Sequence, residues 1–148
     1  MKKLLLIITL WSFGYHVTSQ TIAEQNKVVA SDRFTDDEFG YSAAIYGDHA
    51  IVGAHHEDED INGTNTISNC GSAYIYEKNG SGNWVEVQKI VASDRGGYDR
   101  YGFSVTTHGE YIAVGAHNIE AGQGAVYLYK KNGSGTWVEH QKLVAPTR

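Results

Sequence analysis

Residues 71–92 and 124–145 are identical at 15 of 22 positions, and no other feature of the chain limits its fold so tightly. GSAYIY at 71–76 returns as GAVYLY at 124–129, and KNGSGNW at 78–84 returns as KNGSGTW at 131–137, both 53 residues on. Upstream the spacing is 62: Ser31, Asp32 and Arg33 match Ser93, Asp94 and Arg95, and the stretch VGAH at 52–55 matches 114–117. The nine-residue difference is an insertion in one loop, 55–69. Segments that repeat while one loop varies are the signature of tandem structural units.

Each unit reads as four short strands separated by turn signals. Strands are predicted at 41–46, 49–54, 72–77 and 84–92, then at 103–108, 111–116, 125–130 and 137–145. Ten Tyr, three Trp and 17 Gly against one Pro suit pleated surfaces and tight turns. Past the N-terminus no segment sustains apolar residues at helical spacing. The second strand of each unit is apolar without clean alternation, which predicts burial on both faces. Asn79-Gly80 and Asn132-Gly133 predict positive φ in a tight hairpin between the third and fourth strands.

Four antiparallel strands per unit, repeated in tandem, specify the blades of a β-propeller. A blade cannot bury both faces alone and needs a neighbour on each side. A β-sandwich with two similar halves would not account for matched Trp, Tyr and turn residues at every strand. The fold class is therefore all-β, with about two four-stranded antiparallel blades and an incomplete ring. Residues 24–32 line up with 86–94 and read as an orphan outer strand of a preceding blade. The divisions are 1–19, 20–32 (orphan strand), 33–94 (first blade) and 95–148 (second blade). The chain reads as a fragment of a larger propeller, completed by further blades or by self-association.

Residues 1–19 carry Lys2 and Lys3 ahead of an apolar run at 4–13 and a short polar segment. This order predicts a cleaved signal peptide, too short in its apolar part to span a bilayer. Secretion or display at the cell surface follows. The processed chain has 10 basic and 17 acidic side chains, a net charge of −7. That balance argues against nucleic acid as a partner. Cys70 is the single cysteine, so no internal disulfide is available.

Phe39, Gly40, Tyr41 and Ser42, followed by IVGA at 51–54 and GSAYIY at 71–76, resemble an FG-GAP repeat. Tyr101, Gly102, Phe103 and Ser104, with AVGA at 113–116 and GAVY at 124–127, resemble it again. The resemblance spans 24–148. It implies the β-propeller of integrin alpha chains and bacterial surface proteins, and with it extracellular adhesion or capture of a protein or glycan ligand. Two departures stand out. His55 and His117 occupy the place of the family's Pro, and the connections at 46–49 and 108–111 are too short for the calcium loop that integrin-type repeats carry between their first two strands.

The inserted loop holds the strongest metal-like string: Asp58, Asp60, Asn62, Thr64 and Thr66, with Gly63 at the bend. Alternating oxygen ligands before a Gly match the start of a calcium loop, although position twelve is Asn69 rather than a bidentate acid. An acidic solvated loop needs no ion, and both readings stand. His55 and His117, at equivalent places after the second strand, suggest a metal pair across blades or simply a repeated consensus position. Asp37 and Asp99 read as turn caps. Trp84, Trp137 and the paired tyrosines read as packing between blades rather than sugar platforms.

No nucleophile triad, phosphate loop or paired-carboxylate cleft is evident, so the chain is expected not to be an enzyme. The leading function is a non-catalytic extracellular binding or adhesion module. The alternatives are part of a propeller-fold secreted hydrolase or lyase, or a truncated structural remnant.

Overall fold

The computed structural model describes residues 26–146, without the side chains of Glu120 and Ala121. The predicted signal peptide and the start of the orphan segment lie outside the described residues. Eight strands form two antiparallel sheets, each a meander in chain order. The first contains β1 (Ser42–Tyr46), β2 (His49–Ala54), β3 (Ser72–Lys78) and β4 (Trp84–Ile90). The second contains β5 (Tyr101–His108), β6 (Tyr111–Ala116), β7 (Ala125–Lys131) and β8 (Trp137–Val144). Every predicted strand is present, displaced by no more than two residues at either end. One helical turn, α1 (Ile119–Gly122), stands where the first unit has its inserted loop. The sheets do not close into a ring. Among the described residues no helix is long and apolar enough to cross a membrane.

Two cores explain the burial pattern. Ile51, Ala73, Ile75, Ile90 and Ala92 on one face of the first blade pack against Tyr101, Ile112, Val114, Tyr127, Tyr129 and Trp137 of the second. On the other face of the first blade, Val52, Ala54, Tyr74 and Tyr76 gather with Ala30, Val28 and Phe39. Successive residues of β2 therefore enter different cores, and Ile51 to Ala54 are all buried. In β6 only alternate residues are buried, because Ala113 and Gly115 face the side that no described element covers. The expectation of two-sided burial holds for β2 and fails for β6 for that reason. The tyrosines of β3 and β7 are core residues, as their fixed strand positions predict.

Residues 26–30, predicted as an orphan strand, form no ladder, since no strand of the described residues lies beside them. They nonetheless sit where the repeat places them. Tyr76 Oη donates to the Val29 carbonyl at 2.8 Å as Tyr129 Oη donates to that of Val91 at 3.0 Å. Glu86 accepts the backbone N–H and hydroxyl of Ser31, and Glu139 accepts those of Ser93.

The β3–β4 and β7–β8 hairpins correct one expectation. Positive φ falls on Gly82 and Gly135, at 79° and 86°, and not on Gly80 or Gly133. Asn79 and Asn132 act through their side chains instead. Asn79 Oδ1 accepts the N–H groups of Ser81 and Asn83 at 3.0 Å, and Asn132 Oδ1 does the same for Ser134 and Thr136. This bonding of the backbone two and four residues on builds a wider turn than the two-residue hairpin.

The blades meet backbone to backbone. The N–H groups of Tyr98, Arg100 and Tyr101 donate to the carbonyls of Ser68, Asn69 and Cys70 at 2.8–3.1 Å. A Cβ at Gly71 would lie 2.0 Å from the Tyr101 carbonyl oxygen, and Gly71 has φ +85°. Gly71→Ala is expected to cost at least 3 kcal/mol, roughly the sum of overpacking and left-handed strain. Gly80, with nothing within 4 Å, should tolerate Ala within about 0.5 kcal/mol. Urea unfolding of the two variants checks the contrast.

Candidate functional site

The end of the first blade where β1 begins and β2 finishes carries its most polar loops. The segment leading into β1 is shaped by Asp37, whose Oδ2 accepts the Phe34 N–H. Asp99 accepts the Gly96 N–H in the same way at 2.7 Å, so both aspartates cap turns as predicted. Each turn throws the next residue into left-handed backbone, Glu38 at φ 54° and Arg100 at φ 56°. Such a conformation in a non-glycine residue costs roughly 1–3 kcal/mol and persists where surrounding structure imposes it.

Glu38 is thereby set against the exit of β2. Its carboxylate oxygens stand 3.5 Å from His55 Nε2 and 3.5 Å from His56 Nδ1. His55 is buried, with its ring 4.2 Å from those of Tyr41 and His56. Burial, with lesser help from His56, holds its pKa below the ordinary imidazole range. His117 does not pair with it. Each imidazole packs instead on the Phe103 ring, at 5.3 and 4.2 Å between centroids.

The inserted loop folds around Asp60. Its carboxylate accepts the N–H groups of Asn62 and Thr64 at 2.9 Å, the Thr64 hydroxyl at 3.1 Å and the Asn65 amide. The Asn65 amide first, then the loop N–H groups, pull the Asp60 carboxyl well below the usual carboxylate range. Asp58 turns elsewhere, accepting the Asn69 N–H at 2.6 Å. Asn62 contributes its backbone rather than its side chain, and Thr66 joins neither group. A calcium ion at this loop would have to compete with donors that already occupy Asp60. Between the loop and the β1 lead-in lies an open polar cleft of about 270 Å³, bordered by Asp36, Asp37, His56, Asp58 and Glu59.

A buried ionic cluster lies beneath. Lys89 Nζ donates to Asp32 at 2.6 Å and to Glu57 at 3.2 Å, and Tyr74 Oη lies 2.8 Å from an oxygen of each carboxylate, with its one proton to share between them. The second unit repeats Asp94, Tyr127 and Lys142 in this pattern, at 2.6 Å for each bond to Asp94. It has Ile119 where the first unit has Glu57, counting at the spacing of 62. The pairing of Asp32 with Asp94, Tyr74 with Tyr127 and Lys89 with Lys142 was available from the aligned repeats. Glu57 was not, because it opens the one loop that does not align.

Burial works to raise the Glu57 carboxyl, but hydrogen bonds from Glu59, Tyr74 and Lys89 hold it below its ordinary range. The reverse side of that interaction, a hydrogen bond to Glu57 assisted by burial, pushes Glu59 up to about 7. Lys89→Met would leave Glu57, 1% exposed, without its cation. We expect a loss of about 3 kcal/mol or more. Lys142→Met, at a more open copy of the pair, should cost about 1 kcal/mol or less. Glu57→Ile, which copies the second unit, should be milder than Lys89→Met. Denaturant unfolding of the three variants ranks them.

Glu59 also sets a pH dependence. A carboxyl whose pKa is raised on folding stabilises the protein below its unfolded value and loses that contribution as pH rises through the folded one. Relative to wild type, Glu59→Gln should therefore gain stability between pH 4.5 and about 7. Urea midpoints of both proteins at the two ends of that range measure the change.

Stacked meander sheets that share a core and leave a blade face open on either side define a propeller-type module of tandem repeats. The family model of the FG-GAP repeat matches residues 22–76 and 84–129, well over half of the chain, and the chain belongs to the FG-GAP repeat family. No curated protein matches it. Both matched stretches begin ahead of the blade's first strand, so the sequence unit and the structural blade are one strand out of phase.

Proposed function

We propose that the protein is a non-catalytic, exported binding or adhesion module whose two blades belong to a larger propeller. The neighbours that each outer face calls for are other FG-GAP blades, which further repeats or a second copy of these two blades can supply. The observation that carries this reading is the equivalence of its faces. Ile112, Val114, Tyr127 and Tyr129, which face the first blade, correspond to Ala50, Val52, Tyr74 and Tyr76. Ala113, Val126 and Leu128 on the open side correspond to Ile51, Ala73 and Ile75, which the second blade covers. The chain thus presents one unfilled half of the same interface at each end. Such head-to-tail halves join into rings or filaments.

Membership of the FG-GAP family and the reading of 1–19 as a leader support an extracellular place. The ligand class that fits is a protein or glycan bound by the loops of an assembled propeller. Two measurements test the reading. Mass analysis of the exported protein should find a chain beginning near Gln20. Light scattering should find assemblies larger than one copy, reduced to single chains by Val126→Lys on the open face. A folded chain that stays monomeric at every concentration would contradict the self-association.

A further inference from the structure

We propose that Glu38, His55 and His56 bind one divalent transition-metal ion of the zinc class, in the first blade only. One ligand atom from each side chain lies within 4.8 Å of the other two. His55 Nε2 stands 3.5 Å from Glu38 Oε2 and His56 Nδ1 stands 3.5 Å from Oε1, so each ring faces its own oxygen of the one carboxylate. That distance is too long for the charge-assisted hydrogen bond of an imidazolium and a carboxylate, which closes to about 2.7–2.9 Å. It is close to the edge of a zinc tetrahedron, roughly 3.3 Å for metal–ligand distances near 2.0–2.1 Å. Two imidazoles and one carboxylate with an open fourth position form a donor set that zinc accepts.

Two further observations favour an ion over a plain ion pair. His55 Nδ1 and His56 Nε2 are buried without a hydrogen-bond partner, so nothing on the far side of either ring fixes a proton on the nitrogen that faces Glu38. His56 also borders the acidic cleft of Asp36, Asp37, Asp58 and Glu59, which gives a cation a path in from solvent. Arg100 and His117 on the neighbouring blade are the groups that oppose it. Because neither histidine has an outer-shell partner, the site is expected to bind more weakly than a closed structural zinc site. The second unit places Arg100, His117 and Asn118 at the corresponding positions and lacks the donor set.

Cobalt(II) is the probe, added to the tag-free mature chain with near-ultraviolet circular dichroism as the check of folding. The expected result is saturable binding of one ion per chain, visible d–d absorption of a four- or five-coordinate centre, and displacement by zinc. Glu38→Gln and His56→Ala, both at partly exposed positions, should each weaken binding by more than about 10-fold, the lower limit seen when only an outer-shell partner is lost. His117→Ala should leave binding unchanged. A folded wild type without saturable binding overturns the proposal. So does binding that survives both ligand substitutions, or binding that disappears with His117.

Discussion

Side chains fill the space between the two sheets, but backbone sets their distance. Carbonyls at 68–70 accept from N–H groups at 98–101, and Gly71 and Gly102 beside them leave no room for a Cβ. Gly53, one residue before the end of β2, lies so close to the Gly102 carbonyl that an added methyl would fall 2.0 Å from its oxygen. Ser42 Oγ donates to that same carbonyl at 2.8 Å. At this separation Ile51 and Ile75 share one buried core with the tyrosines of β7 and Trp137, and a slightly wider gap would forfeit much of their contact. The register of the blades, the depth of the core and the position of the loop end all follow from it.

Charge is used sparingly but in the same place twice. An aspartate from the segment that leaves one blade takes a tyrosine hydroxyl and a lysine ammonium from the next, with Asp32 and Asp94 as the two copies. Each aspartate is desolvated, and the bonds from Lys and Tyr outweigh that cost and keep its carboxyl acidic. The first copy has gained Glu57 and with it a second carboxylate to neutralise. Beside it, Glu59 at the rim of the polar cleft has its carboxyl pushed up to about 7 by its hydrogen bond to Glu57. The inserted loop is therefore tied to the blade interface by electrostatics as well as by backbone.

Strands, blade count and the packing tyrosines were legible in the sequence because they recur, and recurrence separates signal from local propensity. The hairpin glycines misled because Asn-Gly suits a two-residue turn, whereas Asn79 and Asn132 act here by bonding the backbone two and four residues on. Burial of β6 could not be read from its own residues, since it depends on which neighbour is present. His55 was visible as a repeated residue, yet its companions were not. Glu38 reaches it only because Asp37 caps a turn that drives Glu38 into left-handed backbone, a consequence of three-dimensional closure that no spacing in the chain reveals. Likewise the oxygen string of the inserted loop has ligand spacing, but Asp58 and Asp60 point to different partners.

The offset of one strand between the sequence unit and the blade has a bearing on how such proteins change. The second matched unit carries the last strand of one blade and the first three of the next, and the first opens on the segment equivalent to that last strand, so the joint between matched units does not coincide with the joint between packed sheets. Duplicating or deleting a whole unit then preserves each aspartate's tyrosine and lysine, each glycine contact and each half-core. The number of blades can drift by recombination with no interface having to be invented again.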